Sequence, residues 1–150
     1  MKSQKIYKTL VSILFIVAVF TAGCDSYDDE GSNANELRDQ TERLTSSWNG
    51  DRILFDGVDV TLQDFENFTL EFREDGTWTA EDGAPAFGSQ GTWEFADGNT
   101  SRILMNGVPV DLFFTTGASQ LTLRFVLQGS AIGRTKGTTG DYVIDLSPLP

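Results

Sequence analysis

The sequence predicts an all-β domain built as an antiparallel meander of short strands. Apolar and polar side chains alternate in residues 68–72 and 121–127, as they do in a strand that is buried on one face. Asp-Gly and Asn-Gly dipeptides, which tolerate the positive φ angles of tight hairpin turns, separate such stretches. These dipeptides lie at residues 56–57, 75–76, 97–98 and 106–107. Short strands that are closed by tight turns indicate antiparallel neighbours.

Two further segments extend this pattern. Residues 52–60 and 102–110 match at six of nine positions, and each is predicted to form a strand, a two-residue turn and a second strand. The match is consistent with a barrel made of two related halves, or with convergence, because hairpins draw on few turn and β-branched residues. Past the second turn, alternation sends Phe113 away from the face that Leu112 and Phe114 share. Phe113 therefore belongs either to a contact surface or to a different register.

The N-terminus is basic and then apolar. Residues 10–20 form a largely apolar run of eleven, which as a helix would reach only about 16 Å, roughly half of the hydrocarbon core of a bilayer. Ala22 and Gly23 then stand directly before Cys24, although threonine precedes them where leucine is usual. Residues 1–23 thus resemble a bacterial lipoprotein signal peptide, in which the cysteine thiol takes a diacylglycerol and signal peptidase II cuts before it. Lipidation of Cys24 is predicted; an ordinary signal peptide and a buried cysteine are the alternatives.

Residues 24–43 are predicted to form a lipidated acidic tether. The acid cluster at 28–30 and the polar residues after it cannot bury enough apolar surface to fold. The cluster also resembles the export tag of surface lipoproteins in the Bacteroidetes. The alternative is that it is a plain solvated linker. A short helix is predicted within residues 35–44, where Leu37 and Leu44 share one face.

Charge and residue types exclude several classes of function. From Cys24 on, the chain has eight basic and 22 acidic residues, a net charge of −14, which repels nucleic acid phosphates and anionic lipid headgroups. The chain has no histidine, no second cysteine and no Gly-x-Ser-x-Gly elbow, so the usual pairs of nucleophile and base are missing. EF-hand spacing and a phosphate loop are missing as well. We therefore predict no enzyme, no catalytic residue, no metal, no cofactor and no nucleic acid partner.

Four short motifs carry a family resemblance. They are Leu-Thr-Ser-Ser-Trp at 44–48, Phe-Arg-Glu-Asp-Gly-Thr-Trp at 72–78, Gly-Thr-Trp-Glu-Phe at 91–95 and Leu-Thr-Leu-Arg-Phe at 121–125. In this order they resemble the lipocalin-like domain of Bacteroidetes lipoproteins, over residues 44 to about 146. The resemblance implies an up-and-down antiparallel barrel of about eight strands, in a domain of residues 44–150 behind a lipid anchor. Ser46 stands where true lipocalins have glycine, and the short chain favours a narrow or filled interior.

Five aromatic side chains are the candidate ligand-binding residues. They should point inward from neighbouring strands, where they line a pocket for a small apolar ligand or form the core that a domain of this size needs. The five residues are Phe72, Trp78, Trp93, Phe95 and Phe125. The basic pair Arg134 and Lys136 lies in a glycine-rich loop. Two functions are predicted for this loop, gating of a pocket and contact with an acidic partner; the alternative is a plain hairpin loop.

Two functions follow from these observations. The first is an envelope lipoprotein, anchored in the bacterial outer membrane and facing the periplasm or the cell surface, whose barrel binds a small apolar ligand. The second is a structural or accessory lipoprotein whose filled barrel contacts another envelope protein or a polysaccharide. An open cavity lined by the tryptophans would favour the first, and a packed interior with an exposed aromatic patch would favour the second.

Overall fold

The computed structural model describes residues 30–115, 120–133 and 138–150, which form two helices and nine strands. The helices are α1 (Glu30–Leu44) and α2 (Thr61–Asp64). The strands are β1 (Ser47–Phe55), β2 (Val58–Asp59), β3 (Thr69–Phe72), β4 (Thr77–Glu81), β5 (Gln90–Ala96), β6 (Asn99–Met105), β7 (Val108–Phe114), β8 (Leu121–Leu127) and β9 (Gly140–Pro148). The predicted signal peptide, Cys24, Arg134 and Lys136 lie outside the described residues.

The strands form one antiparallel sheet that closes into an eight-stranded barrel. The order around the wall is β1-β3-β4-β5-β6-β7-β8-β9, and β9 pairs back with β1. Strand β2 is an extra strand of two residues on β1. Apart from β2 and α2, which follow β1, each strand lies beside its neighbours in sequence. The predicted all-β, up-and-down meander that closes into a barrel of about eight strands is therefore confirmed.

Strand β1 pairs with three strands, β2, β3 and β9, and its pairing with β9 is interrupted near Gly50. Its first residues, 47–49, pair with β3, whereas its pairing with β9 runs along most of the strand and shifts in register between Gly50 and Arg52. The Gly50 amide donates a hydrogen bond to the carbonyl of Phe68 (2.8 Å), and a Cβ on Gly50 would lie only 2.9 Å from Cδ1 of Phe68. A side chain here would push β1 away from Phe68, so this glycine allows the close approach of the two backbones.

The two matching segments form the same type of turn, but the strands that follow the turn differ in length. The turn residues have positive φ angles, 48° and 79° at 56–57 and 49° and 80° at 106–107, as type I′ turns require. After the first turn, Oδ1 of Asp59 accepts hydrogen bonds from the amide and the hydroxyl of Thr61 (3.0 and 2.7 Å). This local bonding competes with strand pairing, so β2 ends after two residues and α2 begins. After the second turn, β7 continues for seven residues. Duplication of the hairpin stays a prediction.

Helix α1 begins earlier than the sequence predicts. Within residues 24–43, predicted as a tether, the described residues are helical from Glu30 on, and the helix extends five residues upstream of the predicted start at 35. The segment has few apolar residues, so its own sequence carries little helical signal. Its last residue supplies the missing stabilisation, because Leu44 is fully buried in the barrel core.

Polar and aromatic contacts attach α1 to one end of the barrel. The carbonyl of Leu44 accepts a hydrogen bond from Nε1 of Trp48 (3.1 Å), next to the start of β1. The guanidinium of Arg43 lies 4.3 Å from the centre of the Phe114 ring, at the end of β7. About two turns upstream along α1, Glu36 accepts a hydrogen bond from the hydroxyl of Thr100, near the start of β6 (2.8 Å). We call this the helix end of the barrel, and the opposite end, which residues 82–89 cover, the loop end.

The core is aromatic. All of the described buried side chains are apolar or aromatic, and they belong to one cluster that runs through the barrel. The largest of these side chains are Trp48, Trp78, Tyr142, Phe65, Phe68, Phe72 and Phe87. Six of these seven come from strands or from the segments directly beside them, and Phe87 comes from the loop at 82–89.

We expect Phe87→Ala to lower the free energy of unfolding by about 3–5 kcal/mol, because it removes a buried ring that three other rings contact. Urea unfolding of the chain from residue 30 on would measure the change. Leu62→Ala is the matched control, since Leu62 is 82% exposed, and it should change stability by less than about 0.5 kcal/mol. Equal effects of the two substitutions would contradict a packed loop end.

Candidate functional site

The barrel interior is the site at which the sequence predicts ligand binding. All five predicted residues have side chains on the inner face of the wall. Four of them are buried, and Phe95 is partly buried against the core. The alternation of apolar and polar residues therefore places these side chains correctly. Whether a ligand reaches them depends on what fills the space between them.

The five side chains separate into two groups. At the helix end, the Trp93 ring contacts Phe72 and Phe95, with ring centres 5.9 and 5.5 Å apart and nearly perpendicular planes. Toward the loop end, Trp78 and Phe125 do not meet directly. The Phe87 ring lies between them, 6.0 Å from Trp78 and 5.4 Å from Phe125. The predicted residues thus pack on other aromatic rings and do not converge on one open cavity.

The loop at residues 82–89 holds Phe87 in this position. The amide of Phe87 donates to the carbonyl of Gly83 (2.7 Å), and a Cβ on Gly83 would lie 2.8 Å from Cβ of Phe87. On either side of Phe87, the loop pairs with Ile132 in a parallel bridge: Ile132 accepts from Gly88 (2.6 Å) and donates to Ala86 (2.9 Å). These bonds fix the loop across the loop end with the Phe87 side chain directed inward.

Further rings extend the packing from Phe87 to both sides. On one side, Phe87 stacks on Phe68 with ring centres 5.3 Å apart. On the other side, Phe125 stacks on Tyr142 at 5.3 Å. The five predicted ligand-binding residues do not include Phe68, Phe87 or Tyr142. Tyr142 lies in a stretch of alternating residues, which could have indicated it, whereas the loop around Phe87 has no periodicity.

The tryptophan N–H groups are all bonded within the protein. Nε1 of Trp78 donates to the carbonyl of Thr92 (3.1 Å) and to Oδ1 of Asn106 (3.0 Å), and Nε1 of Trp93 donates to the carbonyl of Arg73 (3.0 Å). A buried indole needs such a partner, and here backbone and turn residues supply it. The two indoles of the predicted pocket therefore have no free donor to offer a ligand.

A cleft of about 380 Å³ lies between α1 and the β5–β6 hairpin, outside the barrel. Its apolar lining includes Leu37, Ala34 and Ala96, together with Phe95 from the predicted set. Leu37 is 43% exposed, so it could contact a ligand without rearrangement. This cleft joins one of the five predicted residues to a space that is open to solvent.

The outer wall at β7, β8 and β9 carries the second candidate surface. Phe113 points outward and is 50% exposed, as alternation predicts, and Val126 on the next strand is 56% exposed. The guanidinium of Arg124 lies 4.9 Å from the centre of the Phe113 ring. Beside these residues, a cleft of about 570 Å³ includes Arg124, Val126, Asp141 and Val143 in its lining. Exposed aromatic and arginine side chains are typical of residues that dominate protein interfaces.

The described residues show neither a metal-binding cluster nor a membrane-spanning helix, and the chain matches no known family or structure. Among residues 30–115, 120–133 and 138–150, no three histidine, cysteine, aspartate or glutamate side chains form a group that could hold a metal ion. Neither helix of this part of the chain is both long and apolar enough to cross a bilayer. Comparisons with protein-family models, with curated proteins and with solved structures found no match.

The burial of Tyr142 gives a test of the packed interior. Burial raises the pKa of Tyr142 above its usual 10.0, and the nearby carboxylates of Asp64 and Asp56 raise it further, although a hydrogen bond with Thr138 opposes them. Below pH 10 the phenol is neutral in both states. Above pH 10 the unfolded chain ionises first, so the stability that the neutral ring contributes is lost as the pH rises through the folded pKa.

We expect the free energy of unfolding to fall above pH 10 in the wild type and to fall less in Tyr142→Phe. Tyr142 is the only tyrosine from residue 30 on, so phenolate absorbance of this chain reports on it alone. The midpoint in the folded chain should lie above 10, and in urea it should return to about 10. A folded midpoint at or below 10 would mean that water reaches the ring.

Proposed function

We propose that this chain is a non-catalytic lipoprotein of the bacterial envelope, in which a filled lipocalin-like barrel contacts a partner through its outer wall. The observation that carries the proposal is the position of Phe87. Its ring occupies the interior between Trp78 and Phe125, where a ligand in a lipocalin-like barrel would have to lie. The barrel interior therefore serves as a core, and recognition is left to the surface.

Energetics support this division of roles. A ligand that entered between Trp78 and Phe125 would have to displace Phe87, and the loss of a buried phenylalanine costs about 3–5 kcal/mol. It would also have to break the bridge between the loop and Ile132. A small apolar ligand gains little more than this from burial in a newly opened space, so it would bind weakly.

The outer wall is the better candidate for recognition. Phe113 and Val126 expose about half of their surface in a region with an accessible cleft, and neither packs in the core. An aromatic side chain is costly to expose and contributes much when it is covered on binding. This wall thus offers a partner both apolar area and charged groups.

A lipid anchor at Cys24 is the other part of the proposal. The sequence from residue 1 to Cys24 supports it, because a short apolar run ends in a cysteine behind small residues. Five residues lie between Cys24 and Glu30, where α1 begins, and an extended chain over these six steps spans about 20 Å. Helix α1 would then connect the anchor to the helix end of the barrel.

A second function, binding of a small apolar ligand, is favoured by the cleft between α1 and the β5–β6 hairpin. Phe95 contributes to its lining and contacts Trp93, with ring centres 5.5 Å apart. A ligand in this cleft would lie outside the packed interior. It would nevertheless change the surroundings of Trp93, so the same fluorescence measurement tests both functions.

We expect no saturable change in tryptophan fluorescence when the chain from residue 30 on is titrated with fatty acids and a fluorescent lipid probe. The physical reason is that neither indole of the predicted pocket faces an open cavity. A saturable blue shift that disappears in Leu37→Glu, with the circular dichroism spectrum retained, would instead favour the α1 cleft. A shift that survives Leu37→Glu and disappears in Trp93→Ala would contradict the filled barrel.

We expect Cys24→Ser in the full chain to move the protein from the membrane fraction to the soluble fraction, because the thiol that takes the lipid is lost. Metabolic labelling with a radioactive fatty acid should mark the wild type and not the variant. Ser26→Ala is the matched control, since it changes a hydroxyl in the same segment and leaves Cys24 in place. Equal labelling of wild type and Cys24→Ser would rule out this anchor.

A further inference from the structure

The charges on the outer wall from β6 through β9 to β1 are nearly balanced, unlike those elsewhere. Three arginines and five aspartates lie on the outside here, which leaves two net negative charges: Arg52, Arg102, Arg124, Asp51, Asp56, Asp111, Asp141 and Asp145. The other residues of the described part of the chain include three arginines and fourteen acidic residues. Two copies of the domain would therefore repel each other through most orientations and least through this wall.

Two pairs of charges on this wall form ion pairs. Arg102 pairs with Asp111 (2.5 Å), and Arg52 pairs with Asp145 (2.6 Å). Of the other four charges, Asp51 and Asp56 accept hydrogen bonds from Ser147 and from the amide of Asp141. The charged groups of Arg124 and Asp141, by contrast, form neither an ion pair nor a hydrogen bond within the described residues. A partner that carries an opposite charge could therefore form an ion pair with either of these two groups.

The register of β8 and β9 arranges these two charges in a square with two valines. Arg124 lies opposite Val143, and Val126 lies opposite Asp141. The charges thus occupy one diagonal of the square and the valines the other, and all four residues line the cleft of about 570 Å³.

This square is complementary to itself. A two-fold axis along the Val126–Val143 diagonal places Arg124 of one copy over Asp141 of the other, and the reverse, while each valine meets its own counterpart. Such isologous contact is the usual symmetry of a homodimer. Within one copy, Arg124 and Asp141 form no ion pair in the described structure, although they share a diagonal of the square.

We infer that the partner of this wall is a second copy of the chain, in a two-fold dimer in which Arg124 and Asp141 pair across the axis. The inference rests on the proposed function, because it names the partner that the outer wall contacts. Anchoring would assist it, since two lipidated copies meet within one membrane at a high effective concentration. The exposed Phe113, beside Arg124, lies at the margin of the contact.

Photocrosslinking of the full chain in cells tests the dimer. A benzophenone amino acid at position 126 lies on the proposed axis. The same amino acid at position 62 is the control, on an apolar residue that is more exposed than Val126 and lies on α2, outside the strands of this wall. With two differently tagged copies expressed together, position 126 should give a product of twice the mass of the chain that carries both tags. Position 62 should not give this product.

Charge exchange tests the pairing itself. Arg124→Asp and Asp141→Arg should each reduce the crosslinked product about tenfold, because like charges then meet across the axis. The double variant Arg124→Asp/Asp141→Arg restores opposite charges and should restore the product. Arg38→Asp on α1 is the matched control and should leave the product unchanged.

Several outcomes would overturn the dimer. They are the absence of product at position 126, equal product at positions 62 and 126, and a double variant that stays as low as the single ones. A product between position 126 and a different envelope protein would also overturn it, but would leave the proposed contact function in place. A fluorescence response to lipids that survives Leu37→Glu and disappears in Trp93→Ala would contradict the filled barrel alone, so the two failures can be told apart.

Discussion

The packing of Phe87 between Trp78 and Phe125 is the interaction on which the rest of the structure depends. The barrel has only about a hundred residues with which to build a core, so its interior has to be filled by its own side chains. Phe87 completes that core from a loop, and it joins the rings near β8 and β9 to those near β3 and β4. With this ring in place, the space between Trp78 and Phe125 is part of the hydrophobic core and is not an open cavity.

Much of the fold could be predicted from the sequence, because its signals are local. Alternation placed Phe72, Trp78 and Phe125 on the inner face, and the Asn-Gly turn at 106–107 gave its hairpin. Phe87 could not be found in this way, since its position depends on a backbone bridge to Ile132, 45 residues further along the chain. Long-range pairing of this kind leaves no period in the sequence.

The first turns of helix α1 and the charge pattern of the outer wall could not be predicted, for a related reason. The segment from Glu30 is polar, and its helix is stabilised where Leu44 and Arg43 meet the barrel rather than by its own composition. On the outer wall, composition shows only a strong negative charge. The near balance of charge around Arg124 and Asp141 emerges only when register brings distant strands together.

The pairing of β1 with β9 has a consequence for how the chain becomes folded. Trp48 lies opposite Pro148, so the wall closes between residues a hundred positions apart, and closure requires the last strand. A chain that folds starting from its N-terminal end would form an open sheet. This sheet keeps two unpaired edges until β9 is available to pair with β1. If the proposed lipid anchor is correct and the chain is exported unfolded, the barrel cannot close before residue 148 has crossed the membrane.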